Sequence, residues 1–551
     1  MLKVCLCIIK KDSDRKVREL CQQTHEKLCS KVNKSLAPYL KQLMPYWLMA
    51  QSDTYSQAGK IADASFKAIF NELKRPEVIY FARDDILNVF YDFLVNQSIK
   101  NDLGSLSKDE ADQRYELMIC VALRGLDLFL KYYADILRKK ASSLADNKTC
   151  LEKLDSLLTD QKFWKYAKEP SLKIRSDFYQ LIYSLVTSLL VLENDDLNKL
   201  KVTVKAKIVP LVFYAIDEDN NACCHYVWQS ISKCLELFAS DNEFWTLFNV
   251  KKAFWPKLFT LLRHHTSGTA NSQNVDVIFS NLLQLLQKQA PIYSDTDEMI
   301  TFYNEFLAKL FDCFTYYNAK SSSKLPKARL IQSSPLRIRV IDAFFSCFAY
   351  IVHSVLKANR FDNCSNLIGD YLMKSIYDYL EDKTESTTQD LEMRMHSLFN
   401  ELFRNEQLRE LFYQSLSNWI EEKLNSNDAP NHLTSKFCAL FQHSNQVDRQ
   451  FFAIVEKIFT KQVLTFHATM LGDQTTAIAC LRSISQMLNE LYDDSLLNIL
   501  QKDRSDSFMR DEIGSIFVKL NDSDNDQLKL SVLNLFLVLN SKAKQPSSTL
   551  D

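Results

Sequence analysis

The 551-residue sequence predicts an all-α protein, an α-solenoid of irregular helix pairs, and three observations carry that reading. Glycine and proline are scarce: 7 Gly and 11 Pro make about 3% of the chain, against roughly 12% in ordinary proteins. Hairpins and strand-to-helix turns need residues that adopt positive φ, so a chain this poor in glycine is hard to write as anything but helices joined by short polar turns. Apolar residues recur at steps of three and four almost everywhere. Proline and Asp/Asn/Ser clusters punctuate that periodicity, marking roughly two dozen helices of about 12 to 20 residues.

The stripes can be followed in order. Ile79, Ala82, Ile86, Val89, Phe90 and Phe93 fall on one face of a helix. So do Leu181, Leu185, Ser188, Leu189 and Leu192, and near the end Leu530, Leu533, Leu537 and Leu539. Helices at 177–192 and 342–356 are apolar on most sides, which predicts that each is sandwiched between neighbours. Pro38, Pro76, Pro170, Pro210, Pro256, Pro291, Pro335 and Pro430 read as helix starts, where the first-turn N–H has no helical partner to lose. The clusters 217–221 and 425–428 can cap the helices that follow. The irregular stretches are 96–112, 318–335 and 381–390, and 542–551 reads as a disordered tail.

A weak internal echo links 14–20 (DRKVREL), 169–178 (EPSLKIRSDF) and 334–344 (SPLRIRVIDAF). Each copy has a polar or proline start, a β-branched residue followed by Arg, then an apolar run. The second helix of a HEAT repeat has this shape, and its Arg commonly pairs with an acid of a neighbouring repeat. The helix pairs are therefore HEAT-like, with Arg18, Arg175 and Arg339 as rungs of an inter-repeat polar ladder; direct ligand contact is the alternative.

Composition narrows the functional classes. A formal net charge of −1 excludes binding of polyanions through bulk charge, so any nucleic-acid contact has to come from a local patch. The 14 cysteines have no framework spacing and read as reduced, buried thiols of a cytosolic protein. Lys10, Lys11, Asp12 and Asp14 follow a short apolar start, unlike a signal peptide. The uncharged run Phe178–Leu192 is too short and too polar for a bilayer, which needs roughly 20 apolar residues.

The search for chemistry is negative. The glycines never cluster, so there is no phosphate-cradling loop. Cys5 and Cys7, or the adjacent Cys223 and Cys224, lack the spacing that brings two thiolates to one tetrahedral ion. Cys224-His225 beside Cys234 reads as a buried helix face, and His264-His265 as surface. No G-x-S-x-G occurs, and Glu421-Glu422 and Asp493-Asp494 carry no specific signal. Phe244, Trp245, Phe248, Phe254, Trp255 and Phe259 read as core, with a partner groove as the alternative. One charge feature stands out: from Lys320 to Val340 there are six bases and no acid, namely Lys320, Lys324, Lys327, Arg329, Arg337 and Arg339. Such a segment is either a solvated inter-repeat loop or a contact that neutralises RNA phosphates without reading bases. A weaker cluster is Lys199, Lys201, Lys205 and Lys207.

Residues 12–70 carry a more specific pattern. Val17-Arg18-Glu19 is followed by Leu36-Ala37-Pro38-Tyr39-Leu40, then Trp47-Leu48 with Gln51 and Asp53, then an Ala-rich helix with Ala62, Ala64 and Phe66 that ends at Phe70. A second block is Lys162-Phe163-Trp164-Lys165 followed by Lys173-Ile174-Arg175. Both blocks resemble the listerin family, RING-type E3 ubiquitin ligases of ribosome-associated quality control; Pro45 stands where that family usually has Gly. The resemblance is dense over about 70 residues and collinear to about residue 265.

The resemblance implies a HEAT-repeat region that docks on the large ribosomal subunit after a stalled ribosome has split. There it touches the factor that senses the exposed peptidyl-tRNA. A solenoid arm then carries a C-terminal RING to the exit tunnel, where an E2 enzyme and the RING ubiquitinate the stalled nascent chain for degradation. Against that plan the sequence is expected to lack the family's first helices, and no zinc-ligand cluster occurs before Asp551, as in a fragment, an incomplete gene model or a shortened form. The expected form is therefore a cytosolic docking arm without cofactor or small-molecule substrate, inactive alone, with zinc only in the absent RING. Residues 1–265 would be the docking region, 266–541 a continuing HEAT-like solenoid and 542–551 the tail. The rival reading is an unrelated HEAT-repeat scaffold or transport adaptor that binds protein partners.

Overall fold

The computed structural model describes residues 14–425, apart from 97–105, 140–147, 190–191, 193–196, 242, 267–273, 290–292, 294, 319–334 and 382–388, and a few positions between 436 and 458. Among the described residues every regular element is a helix. The chain divides into two compact units, Met1–Ser294 and Asp295–Asp551.

The first unit contains α1 (Arg15–Val32), α2 (Leu40–Gln51), α3 (Ser56–Ile69), α4 (Lys74–Phe81), α5 (Arg83–Leu94) and α6 (Lys108–Lys139). These are followed by α7 (Lys148–Thr159), α8 (Leu172–Ser188), α9 (Asn198–Tyr214), α10 (Asn221–Phe238), α11 (Trp255–Thr266) and α12 (Val275–Gln289). They stack as two rows. Helices α6, α8, α10 and α12 pack each on the next, while α2, α5, α7 and α9 form the second row, and α5 with α6 and α9 with α10 make pairs across the rows. This is the stacking of an α-solenoid, in which each pair buries its apolar face on the neighbouring pairs. The predicted sandwiching of the apolar helix α8 holds: it lies between α6 and α10.

Local chemistry explains the helix starts. Ser107 and Glu110 cap α6 reciprocally, with the Ser hydroxyl 2.6 Å from the carboxylate and the Glu110 N–H donating back to the hydroxyl at 3.4 Å. Ser171 caps α8 through the Ile174 N–H, and Asn220 caps α10 through Ala222 and Cys223. Ser107 therefore ends the irregular stretch expected to run to residue 112. Two further expectations are corrected. The stripe Ile79 to Phe93 is buried at all but Val89, yet it spans two helices that break at Ala82. Asp84 and Asp85 explain the restart, since acids favour the positive end of a new helix. Pro210 lies deep inside α9 and not at a start, whereas Pro256 and Pro335 are in the first turn of their helices as predicted. Pro291 and Pro430 lie outside the described residues, as do the stripe 530–539 and the tail 542–551.

The core of this unit is aromatic. Phe213 meets Phe244, Phe248 and Phe254 at ring centroids of 5.7, 4.3 and 5.2 Å, and Trp255 stacks on Phe259, so the 244–259 aromatics are core. At Gly125 the rows approach closely: a β-carbon there would lie 2.9 Å from the buried Phe90 ring and 3.6 Å from the Met49 backbone.

The second unit contains α13 (Thr296–Asn318), α14 (Pro335–Lys357), α15 (Phe361–Leu367), α16 (Lys374–Glu381), α17 (Gln389–Leu402) and α18 (Glu406–Asn425), with a π-helical stretch, Ile368–Met373, between α15 and α16. Helix α14 is long and apolar enough to cross a membrane, but most of it is buried between α13 and α17, as a core helix is. Phe311 and Phe314 of α13 meet Phe344 of α14 at 5.5 and 4.6 Å. Asn359 ends α14 at φ 57°, with the Arg360 N–H returning to the Val355 carbonyl.

Candidate docking surface

The first helices are locked by polar groups. The Arg18 guanidinium on α1 donates from Nε to Asp53 Oδ2 at 2.9 Å and from Nη2 to Oδ1 at 3.1 Å, with both side chains buried. Asp53 sits in the α2–α3 turn and also accepts the Tyr55 N–H at 2.7 Å, while the Tyr55 hydroxyl donates to Glu19 of α1. Trp47 of α2 donates its indole N–H to the Ala62 carbonyl of α3 at 3.1 Å, and its ring touches Phe66, Phe70 and the edge of His25. Burial pulls His25 down to about 4, so it is neutral near pH 7. Ala58, Gly59 and Ala62 are small because α3 lies close to α2; a β-carbon on Gly59 would stand 3.0 Å from the Gln51 carbonyl oxygen. Arg18, Glu19, Trp47, Gln51, Asp53, Ala62, Phe66 and Phe70, all members of the 12–70 pattern, thus take part in this packing.

The same logic continues along the rows. In the second block, Trp164 donates to the Leu158 carbonyl at 2.7 Å and Phe163 is buried against Phe178. Arg175 of α8 pairs with Glu218 in the α9–α10 turn at 3.3 Å, and Asp177 of the same helix pairs with Arg124 of α6 at 2.9 Å. Burial raises the Asp177 carboxyl despite that Arg and a hydrogen bond from Cys120. Arg18 and Arg175 are therefore ladder rungs, as expected from their echo. Arg339, the third copy, is exposed on α14, and Asp342 of the same helix pairs with Arg394 of α17 at 2.5 Å.

The basic residues separate into three groups. Lys320, Lys324, Lys327 and Arg329 lie outside the described residues. Arg337 and Arg339 belong to the first turns of α14, where Arg337 is only 8% exposed, so it is built into the helix and not presented on a loop. In the weaker cluster, Lys199 pairs with Asp155 and Lys205 with Asp241.

A further basic region was not legible as one. From Lys27 to Lys60 there are five lysines, and the sole acid, Asp53, is buried under Arg18. Lys27 and Lys31 are exposed on the last turns of α1; Lys41 is exposed at the start of α2 with its ammonium 5.1 Å from the Phe81 ring. Tyr39 and Phe81 stand 57% and 53% exposed beside Lys41 in sequence or in space. One end of the first helices is therefore basic and aromatic, a combination that suits a phosphate backbone with accessible bases. The signal that could have found it is the acid-free lysine spacing, but only once Asp53 is assigned to Arg18.

Among the described residues no three His, Cys, Asp or Glu side chains gather as a metal site. Nothing described therefore fits the zinc that a RING requires. Burial pushes the Cys150 and Cys224 thiols up to about 12, which makes them unreactive core groups, as read for the Cys223–Cys234 face.

Residues 7–289 match the family model of the E3 ubiquitin-protein ligase listerin N-terminal domain, a span that ends close to the boundary of the first unit. The E3 ubiquitin-protein ligase listerin of Mus musculus is 31% identical over 352 residues, covering 64% of this chain and 18% of that one. Its counterpart in Gallus gallus is 28% identical over 438 residues, covering 79% and 22%. The chain thus spans about a fifth of the length of these relatives. A crystal structure of importin beta covers 97% of this chain and 71% of its own, at 9% identity and a TM-score of 0.37.

Proposed function

This chain belongs to the listerin family of E3 ubiquitin-protein ligases, and from that premise we propose that it is the ribosome-docking arm of such an enzyme. It binds the large ribosomal subunit in the cytosol after stalling, next to the factor that senses peptidyl-tRNA. It thereby serves ubiquitination of the stalled nascent chain. The transfer chemistry, with its zinc and its E2 partner, belongs to a RING that none of the described residues supplies. Family membership displaces the rival of an unrelated scaffold. The observation that carries the reading is the coincidence of the family match with a compact unit whose first helices expose Phe81 together with Lys27, Lys31, Tyr39 and Lys41, the last four in a stretch from Lys27 to Lys60 whose single acid, Asp53, is paired with Arg18. Phosphate contacts by lysines make binding steeply salt-dependent, which fits docking on an RNA-rich particle.

The test is co-sedimentation with purified large subunits at about 50 and 200 mM salt. Binding that weakens with salt is expected, with a shallower salt slope in a Lys27→Gln/Lys31→Gln/Lys41→Gln variant. Neutralising Lys320, Lys324, Lys327, Arg329 and Arg339 in a second variant asks whether that segment adds contacts. A chain that fails to sediment with subunits at either salt, while folded by circular dichroism, would overturn the reading.

A further inference from the structure

Helix α1 has an unusual buried face. Its four buried residues, Arg18, Gln22, His25 and Cys29, repeat at helical spacing, and none is a hydrocarbon side chain. The equivalent face of α5 is Ile86, Leu87, Phe90, Phe93 and Leu94. Gln22 is fully buried, yet neither atom of its amide has a hydrogen-bond partner, which disfavours the docked state. The apolar residues of α1 add little, since Val17, Cys21, Leu28 and Val32 are half-buried and Leu20 is 59% exposed. Apart from the His25 ring against Trp47 and the buried Cys29, the links that hold the helix are polar: the two-bonded Arg18–Asp53 pair and the Tyr55–Glu19 hydrogen bond beside it. Burying an ion pair contributes little net stability, but its geometry allows only one seating.

We infer that α1 is a strap, latched by Arg18 on Asp53, that opens on its own while the rows behind it stay folded, and that its closure completes the basic surface. Lys27 and Lys31 ride on the strap, whereas Lys41, Tyr39 and Phe81 belong to the body. A polyanion that touches both sets binds only the closed form and so draws the equilibrium toward it. The last step rests on the docking reading; the opening does not.

Hydrogen exchange followed by mass spectrometry on the whole chain separates the two. Amides of α1 should exchange at least about 100-fold faster than those of α8. Asp53→Asn should speed α1 by about a further 10-fold and leave α8 unchanged. Arg18→Lys, which keeps the charge but loses the second bond, should fall between. Equal protection of α1 and α8 in the wild-type chain would overturn the strap, as would acceleration of α8 by Asp53→Asn. With large subunits present, slower exchange in α1 supports the coupling. Subunits that bind without slowing α1 overturn the coupling and leave docking intact; subunits that do not bind sink the docking reading and leave the wild-type comparison standing.

Discussion

Replacing Gly125 by alanine tests whether the two rows of the first unit meet as closely as the space around Gly125 implies. In an open helix the change stabilises by about 1 kcal/mol, because alanine restricts the unfolded chain. Here the new methyl group would sit 2.9 and 3.0 Å from two carbons of the Phe90 ring. That ring is fully buried and has nowhere to swing. Overfilling of this kind costs about 1–3 kcal/mol, so the net expectation is a loss of about 1 kcal/mol. Leucine at the same site should cost about 3 kcal/mol, with the Met49 backbone at 3.6 Å blocking the other side. For a unit of this size each kcal/mol lowers the melting temperature by about 2–4 °C. Gly369 supplies the control: it too is helical, but a β-carbon there meets nothing within 4 Å, so Gly369→Ala should stabilise the second unit by about 0.5–1 kcal/mol. Urea unfolding by circular dichroism, with peptide-resolved exchange to assign each transition, reads both. If Gly125→Ala is as stable as the wild type or more so, the close approach of α5 and α6 is wrong. A double variant with Phe90→Leu should recover part of the loss, since it removes the atoms that collide.

Two other outcomes follow from buried titratable groups. His25 is held neutral down to about 4 while its unfolded value is near 6.5, so the unfolded chain takes up the proton first. Stability should therefore fall as pH drops from about 6.5 to 4, by on the order of 3 kcal/mol, and His25→Gln should flatten that slope in urea titrations. The thiols of Cys150 and Cys224, pushed up to about 12, should resist iodoacetamide in the native chain at pH 8 and react once urea exposes them; fast native alkylation at either would show that its helix face is open.

The helical class and its punctuation were legible because the periodicity is long-range and glycine is nearly absent. Arg18 and Arg175 were legible as ladder residues because the helix start fixes where their side chains point. The break at Ala82 was not, since a buried stripe runs through it unbroken and two adjacent aspartates are a faint signal. Arg337 read as part of a basic loop because proximity to a Ser- and Lys-rich run says nothing about where the next helix begins. The basic end at Lys27–Lys41 was hidden for a different reason. Its meaning depends on one acid being spent elsewhere, and pairing across 35 residues is information only the fold contains.

Helix α8 carries Arg175 and Asp177 two residues apart, and they reach in opposite directions: one forward to the α9–α10 turn, the other back to α6. Any rotation of α8 about its own axis would lengthen one of these links or the other. The helix is thus fixed in azimuth from both sides, while the rest of its buried face is largely apolar. The consequence is torsional: α8 keeps one face turned toward the helix before it and another toward the turn after it, so the register set at one pair is handed to the next.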